Sequence, residues 1–309
     1  MVLPSLSIVV PVFNAENSLI PLVERLDPVL RAAAASFEVI LVDDGSRDGS
    51  WRVIEQLHAR YDWVRGLRMM RNYGQHNATL CGIRDARGEI VITMDDDLQH
   101  PPEQIPVLLA KLGEGFDVVY GSPVAERHGL WRDLASKITK LALQSVLGAR
   151  TARQVSGFRA IRTHLRQAFA DFRGAFVSLD VLLTWSTTRF AAVRVPHEFR
   201  MIGRSNYTFF KLVSHALNML TGFSTLPLQF ASLLGFTAML LGIALLTMVL
   251  VRYFIHGVVM PGFTYLASVI CIFSGTQLFT LGMMGEYLAR VHDRTLDRPI
   301  YAVAERTSA

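Results

Sequence analysis

Acidic residues collect at two places along the chain, each directly after a short apolar run. Asp43 and Asp44 follow one run, and Asp95, Asp96 and Asp97 follow another. Carboxylate oxygens are ligands that hard cations prefer, and Mg²⁺ typically takes one or two carboxylates together with substrate phosphates. In an extended segment, residues i and i+2 point the same way. Asp95 and Asp97 are therefore predicted to address one metal–diphosphate unit, with Asp96 pointing elsewhere.

Each acidic group also has a structural interpretation. Asp-Gly-Ser is ordinary turn chemistry, so Asp43-Asp44-Gly45-Ser46 alone leaves structure and function equally open. Three consecutive aspartates repel one another unless a cation offsets their charge, which favours a function for residues 95–97. The sequence contains neither GxxxxGK[ST] nor GxGxxG, so ATP hydrolysis and nicotinamide chemistry are not supported. A bound diphosphate must then be neutralised by a metal ion and by Arg or Lys.

The elements that must position these residues alternate along the first 120 residues of the chain. Short β-branched or apolar runs and helix-like stretches follow one another, which predicts an α/β domain with a mainly parallel sheet and helices on both faces. Such sheets bind ligands at the carboxyl ends of their strands, so both acidic groups are expected at one edge. The predicted strands are 7–13, 37–42, 64–70, 89–94 and 116–120, and the predicted helices lie near 18–35, 48–61, 75–86 and 102–113.

The last third of the chain is strongly apolar. Hydrophobic residues make up 51% of the 309 residues and charged residues 18%. Between Leu212 and Gly285 the sole Asp, Glu, Lys or Arg is Arg252. Leu228–Val251 and Gly262–Gly285 each supply 24 residues, enough as a helix to cross a hydrocarbon core of about 30 Å. We predict two transmembrane helices, with two buried core helices as the alternative.

The charges that flank the predicted spans indicate their orientation. Arg290, Arg294 and Arg298 follow the second span, whereas the connection between the spans carries Arg252 alone. By the positive-inside rule, the catalytic part and the C-terminus are expected on the cytoplasmic side. Tyr207–Phe223 has a 3.6-residue apolar period and is predicted to lie in the membrane interface, or alternatively on its own domain.

The predicted organisation therefore has four parts. A cytoplasmic catalytic domain (1–205) is followed by an interfacial amphipathic helix (206–224), a transmembrane hairpin (225–288, with spans at about 228–251 and 262–285) and a cytoplasmic tail (289–309).

Charge and cysteine content narrow the partners. A net charge of +5 suits nucleic acid, an anionic membrane face or phosphorylated substrates. The basic residues are not interleaved with aromatic ones along one element, so no nucleic-acid partner is expected. The two cysteines, Cys81 and Cys271, form neither a disulfide framework nor a CxxC metal motif.

Several blocks together resemble a known family. The chain resembles the family 2 glycosyltransferases of the GT-A fold, in the polyisoprenyl-phosphate branch that contains dolichol-phosphate mannose synthase and the bacterial undecaprenyl-phosphate sugar transferases, the formamido-arabinose transferases among them. The resemblance covers almost the whole length, and the DLQxPPE and RxxGxSxY blocks followed by two spans are its most specific parts. The blocks are Val10-Pro11-Val12-Phe13-Asn14, Val42-Asp43-Asp44-Gly45-Ser46, Arg71-Asn72-Tyr73-Gly74-Gln75-His76, residues 95–103 and residues 200–207.

The resemblance implies a role for each matching residue. The residues implied in nucleotide-sugar binding are Pro11, Phe13, Glu16, Asp43, Asp44 and Asp95. The DxD pair Asp95 and Asp97 is implied to hold Mg²⁺ or Mn²⁺. The residues implied in catalysis are Asp95, Asp97, Gln99 and Arg200, and those implied at the lipid phosphate are Arg200, Ser205 and Tyr207.

The sequence departs from the family at two points, of which one is Arg204 and Asn206 in the GxSxY block, where relatives often have Glu and Lys, and the other concerns the base. Relatives often carry an Asp near a GxFRL-like segment as a candidate base, but residues 153–159 here contain no carboxylate. A phosphate acceptor has a second pKa near 6 and is already an anion at neutral pH. It can therefore attack the sugar without a protein base, so that positioning and charge neutralisation supply most of the catalysis.

The resemblance implies an inverting enzyme of the bacterial inner membrane. It would transfer one sugar from a nucleotide sugar, UDP-linked rather than GDP-linked, to undecaprenyl phosphate, in modification of lipopolysaccharide or another cell-envelope glycan. Membrane lipid is an expected partner, and relatives suggest a homo-oligomer such as a tetramer. The alternatives are a processive polysaccharide synthase, which usually carries QxxRW and more spans, and a catalytically silent scaffold, which would lose the DxD pair.

A substitution at Arg200 tests the lipid-phosphate assignment. Arg200 lies between the apolar run 191–196 and the amphipathic stretch, so we expect it at the membrane-facing edge. Because a planar guanidinium binds phosphate in a two-pronged geometry that lysine cannot copy, Arg200→Lys should strongly lower turnover with polyprenyl phosphate. Calorimetry should show little change in nucleotide-sugar binding. A surface salt bridge to Glu198 would contribute at most ~1 kcal/mol and leave turnover intact.

Overall fold

The computed structural model describes residues 3–123, 155–174, 178–196, 226–256, 262–296 and 298–307. The chain forms two compact units, which are described separately. The first comprises Met1–Ala216 together with Asp297–Ala309, and the second comprises Leu217–Leu296. The C-terminal residues, predicted as part of a tail, thus belong to the first unit.

Within the described residues, the first unit is built on an eight-stranded mixed sheet with the order β7-β5-β6-β4-β1-β2-β3-β8. The pairs β4–β1, β1–β2, β2–β3 and β5–β7 are parallel, whereas β6 is antiparallel to β4 and β5, and β8 is antiparallel to β3. The strands are β1 (Ser5–Val12), β2 (Ser36–Asp43), β3 (Val64–Met69), β4 (Ile90–Thr93), β5 (Val118–Pro123), β6 (Arg159–Arg162), β7 (Phe190–Val195) and β8 (Val303–Arg306).

Helices cover both faces of this sheet, which confirms the predicted α/β class. Alternate residues of a strand point to opposite faces. Ile8 and Val10 of β1 therefore pack with α1, α2 and α4, whereas Val9 packs with α3 on the other face. The helices are α1 (Leu19–Ala33), α2 (Ser50–Arg60), α3 (Gln75–Asp85), α4 (Ile105–Gly113) and α5 (Leu179–Ser186), and 3₁₀ turns lie at Pro102–Gln104 and Thr163–Phe169.

The second unit contains two long helices, α6 (Leu226–His256) and α7 (Phe263–Thr295). Of the helices within the described residues, α6 is the one long and apolar enough to cross a membrane, over Leu228–Arg252. The second predicted span falls within α7 and stays a prediction. A Cβ at Gly242 of α6 would lie 2.5 Å from the Phe273 ring of α7, so the two helices pack closely there. The predicted interfacial helix (206–224) lies outside the described residues.

A buried ion pair ties β6 to α5. The Arg159 guanidinium donates to Asp180 Oδ1, which also accepts the Tyr120 hydroxyl at 3.0 Å. Arg159 and Asp180 are each 5% exposed and Tyr120 is fully buried. Because both charges are out of water, each depends on the other.

Removing one partner should be costly. We expect Asp180→Ala to lower the free energy of unfolding by about 3–5 kcal/mol, since it leaves the Arg159 charge buried without its counter-ion. The matched control is Asp27→Ala, which breaks the more exposed i,i+4 pair with Arg31 and should cost about 0.3–0.5 kcal/mol. Chemical denaturation in detergent, followed by tryptophan fluorescence, measures both. Equal losses in the two variants would contradict a stabilising role for the pair.

Candidate active site

The carboxyl ends of four adjacent parallel strands lie together. In the sheet β4-β1-β2-β3, Val12 at the end of β1 pairs with Asp43 at the end of β2, so their following loops begin side by side. The loops after β3 and β4 leave the same edge. Both acidic groups therefore lie at one edge, as the sequence pattern predicts.

Asp43 is fully buried at the end of β2. Its Oδ1 accepts the Ser46 backbone N–H at 3.0 Å. Its Oδ2 accepts no hydrogen bond from the described residues, and Arg68 Nε lies 3.8 Å from it. Buried carboxylate oxygens normally accept hydrogen bonds, because an unsatisfied buried acceptor carries a desolvation penalty. This atom can therefore accept a donor from a ligand.

Asp44 is also buried, and both of its oxygens accept backbone N–H groups from the loop after β3. Tyr73 N–H donates to Oδ1 at 2.7 Å and Gly74 N–H to Oδ2 at 2.8 Å. Burial raises the pKa of Asp44 to about 6, although these two bonds lower it; the Asp43 charge contributes in the same direction as burial. The loop approaches so closely that a Cβ at Gly45, where φ is +69°, would lie 2.7 Å from the Arg71 carbonyl carbon.

The three aspartates after β4 contact three different loops. Asp95 Oδ1 accepts Gln75 Nε2–H at 2.5 Å, and Asp96 Oδ2 accepts the Phe13 N–H at 3.3 Å. Asp97 Oδ1 accepts the N–H of Gln99 in its own turn at 3.1 Å. Asp96 thus turns toward the loop after β1. That Asp95 and Asp97 share one cation stays a prediction.

Burial also perturbs the middle aspartate. The pKa of Asp96 rises to about 7, chiefly through burial and further through the neighbouring Asp95 and Asp97 charges, against the hydrogen bond from Phe13. Close by, Leu98 is buried with φ at +61°, a conformation that is strained for a branched residue. Such strain is typical of functional loops.

The loop after β1 carries the remaining predicted nucleotide residues. Pro11 is buried in β1, whereas the Phe13 side chain is 40% exposed. Glu16 Oε2 accepts the Gly49 N–H at 2.7 Å, at the N-terminus of α2, where a negative charge is favourable. Glu16 therefore joins the loops after β1 and β2.

Sequence reasoning assigned no role to several groups that organise this edge. Gln75 and the Tyr73 and Gly74 amides hold Asp95 and Asp44. Gly157 lies against Asp95, with an added Cβ only 3.0 Å from its Oδ2. The signal for the first three was the block at residues 71–76, which was noted without a function.

The predicted residues fall into two sets. The structure brings Pro11, Phe13, Glu16, Asp43, Asp44, Asp95, Asp97 and Gln99 to one sheet edge. Arg200, Ser205 and Tyr207 lie outside the described residues, so their roles remain predictions.

The oxygen atoms at this edge suit a hard divalent cation as ligands, because Asp95 and Asp97 offer two carboxylates. No group of three or more His, Cys, Asp or Glu side chains that could hold a metal occurs within the described part of the chain. Two carboxylates match the way Mg²⁺ is bound in proteins, where substrate phosphates and water complete the shell.

The chain is similar to known proteins over almost its whole length. The family model "Glycosyl transferase family 2" matches residues 7–177. The undecaprenyl-phosphate 4-deoxy-4-formamido-L-arabinose transferase of Pseudomonas paraeruginosa is 34% identical over 300 residues, covering 96% of this chain and 88% of that protein. The enzyme of the same name from Pectobacterium atrosepticum is 34% identical over 308 residues, covering 99% and 94%.

The likeness to solved structures concerns the fold. Glucosyl-3-phosphoglycerate synthase of Mycobacterium tuberculosis, solved with Mn²⁺, UDP-glucose and phosphoglyceric acid, superimposes with a TM-score of 0.53 at 18% identity. The match covers 71% of this chain and 78% of that one. It extends the α/β class to a GT-A-like arrangement.

The raised pKa of Asp96 predicts a pH-dependent substitution effect. The folded-state pKa of about 7 lies above the ordinary 3.8, so the folded protein holds this proton more tightly than the unfolded chain does. The resulting stability is fully present below about pH 4 and is lost as pH rises through 7. With divalent cations removed by a chelator, the melting temperature of Asp96→Asn should therefore rise relative to that of the wild type as pH increases from 4 to 8. A control at exposed Asp62, Asp62→Asn, should show no such trend, and parallel curves for Asp96→Asn and wild type would refute the assignment.

Proposed function

Because the chain belongs to glycosyl transferase family 2, we propose that it is an inverting enzyme that transfers one sugar from a nucleotide sugar to undecaprenyl phosphate. The observation that carries the proposal is the sheet edge where buried Asp43 and Asp44 lie beside the Asp95–Asp97 turn. One group suits the hydrogen-bond donors of a nucleoside and the other suits a cation and its diphosphate. Relatives covering nearly the whole chain are named for transfer to undecaprenyl phosphate.

The nucleoside would bind at the ends of β1 and β2. Asp43 Oδ2, which accepts no hydrogen bond within the described part of the chain, would accept an N–H of the base, and uracil offers one. A carboxylate has about four lone-pair sites, so Asp44 can accept ribose hydroxyls while keeping the Tyr73 and Gly74 amides. We propose a UDP-linked donor because the same fold occurs in an enzyme solved with UDP-glucose.

The diphosphate would bind at the turn after β4. Asp95 and Asp97 would hold Mg²⁺ or Mn²⁺, which supplies positive charge to the leaving diphosphate. Gln75 fixes Asp95 from the neighbouring loop, so its carboxylate is oriented before substrate arrives. Gln99 lies in the same turn, where donor sugar and acceptor would meet.

The acceptor phosphate would need no protein base. An oxygen of the dianionic lipid phosphate attacks the anomeric carbon, the bond to the diphosphate oxygen breaks, and the nucleoside diphosphate leaves with inversion. Asp180 is buried and bonded to Arg159 and Tyr120, so it is not free to act as a base. Positioning and charge neutralisation would therefore carry the reaction.

The C-terminal strand supports the proposed membrane topology. β8 pairs with β3 in the same sheet as β1, so both ends of the chain lie on one side of any membrane it crosses. The number of crossings between them must then be even. With α6 as one span, α7 would supply the second, and the arginines after it would place the active site in the cytoplasm.

The decisive experiment screens radiolabelled UDP- and GDP-linked sugars against a short-chain polyprenyl phosphate. Transfer from a UDP-linked sugar with divalent cation is expected. No transfer from any sugar in the panel would contradict the proposal. Transfer from GDP-linked sugars only would overturn the assignment of a UDP-linked donor.

Asp97→Asn tests the cation site within that assay. We expect at least ~10²-fold loss of transfer, the scale of one lost electrostatic contact in a transition state, because an amide is a poor ligand for a hard cation. Asp62→Asn serves as the exposed control and should keep full activity. Wild-type rates for Asp97→Asn at saturating Mn²⁺ would remove Asp97 from the cation site.

A further inference from the structure

The C-terminal segment is attached to the catalytic sheet through backbone and side chains. β8 runs antiparallel to β3, and Met70 N–H donates to Ala302 O at 2.9 Å. Thr307 bonds Gly66 twice: its hydroxyl oxygen accepts the Gly66 N–H at 2.9 Å, and its own N–H donates to Gly66 O at 3.1 Å. The segment is therefore an integral edge of the sheet.

Side chains of the same segment reinforce this attachment. Ile300, Tyr301 and Val303 pack on the core face formed with α3. Arg306 forms an ion pair with Asp85 at the end of α3. These contacts hold residues 300–307 against β3 and α3.

The strand that β8 covers leads directly into the site. Met70, bonded to Ala302, begins the loop 70–75 that joins β3 to α3. Three residues later the amides of Tyr73 and Gly74 hold Asp44, and Gln75 holds Asp95. One short loop thus touches both acidic groups, and its first residue is fixed by the C-terminal segment.

Arg68 makes a second connection between the C-terminal segment and the site. Its guanidinium lies 3.3 Å from Glu305 Oε2 in β8 and 3.8 Å from Asp43 Oδ2. It also lies over the Trp51 ring, with 5.6 Å from its Cζ to the ring centroid. Glu305 therefore helps to place the cation closest to the acceptor atom of Asp43.

We propose that the segment 300–307 is a positioning element of the donor site, which orients Asp43, Asp44 and Asp95 through Arg68 and the loop 70–75. That the ligand bound at this site is a nucleotide rests on the proposed function. The expected effect of the segment on the loop 70–75 does not rest on it. Because the segment continues from α7, the helix that would anchor the enzyme is covalently linked to the edge that would bind its donor.

The test uses the full chain with Glu305→Gln and Thr307→Val combined. These changes remove the ion pair with Arg68 and the bond from Gly66 N–H to the Thr307 hydroxyl, while keeping side-chain size and the backbone bond from Thr307 N–H to Gly66 O. The matched control is Glu24→Gln. It removes a comparable exposed ion pair, 3.2 Å long, between Glu24 of α1 and Arg60 of α2. Deletion of residues 298–309 provides a stronger perturbation, and the point variants keep the test valid if that deletion fails to fold.

Hydrogen exchange of peptides spanning residues 70–75 measures the loop without any ligand. We expect the Tyr73 and Gly74 amides to exchange about tenfold faster in the double variant than in Glu24→Gln, the scale of one weakened hydrogen bond to a charged group. The UDP–Mn²⁺ dissociation constant from calorimetry should rise by a similar factor. Exchange equal to the control would overturn the proposal. Failure of the wild type to bind UDP–Mn²⁺ would instead count against the proposed donor, while the exchange result still decides the positioning role.

Discussion

The acidic edge depends on backbone N–H groups that reach carboxylates across loop boundaries. Asp43, Asp44, Asp95, Asp96 and Asp97 lie at one edge of the sheet, and neighbouring carboxylates repel one another when both are ionised. Each accepts a hydrogen bond, and the donors come from the loops after β1, β2, β3 and β4. The negative charge that the proposed chemistry requires also joins the loops, because Asp44, Asp95 and Asp96 each accept a hydrogen bond from a different loop.

The parts of the fold visible in the sequence are those with local signals. β1 to β5 are apolar runs whose alternate residues enter two cores, and each was predicted to within a few residues. β6 spans four residues and includes the buried Arg159. A charged residue is not expected in a buried strand, and the sequence does not show that Asp180 lies opposite as its counter-ion. β8 is largely exposed and pairs with β3 more than 200 residues away, so no local pattern reveals it.

The same distinction applies to the site. Carboxylates after predicted strands can be recognised from residue type alone, so the sequence was enough to identify Asp43, Asp44 and the 95–97 group. The Tyr73 and Gly74 amides could not, since every residue except proline carries an N–H and only the backbone path selects those that matter. Asp96 illustrates the limit further, because its perturbed pKa arises from burial that sequence does not display.

Charge balance explains why the proposed reaction needs cations from several sources. A nucleoside diphosphate and a lipid phosphate are both anions, and the edge that would receive them is already acidic. The raised pKa of Asp96, about 7, lessens that repulsion, since its proton remains partly bound near neutral pH. In the proposed reaction, a divalent cation at Asp95 and Asp97 and guanidinium groups would offset the remainder. Arg68, beside Asp43 and tied to Glu305, is one such group whose position is set from the C-terminal strand. A site that neutralises its substrates in this way needs no general base, because the acceptor arrives already ionised and requires only to be brought in line with the departing diphosphate.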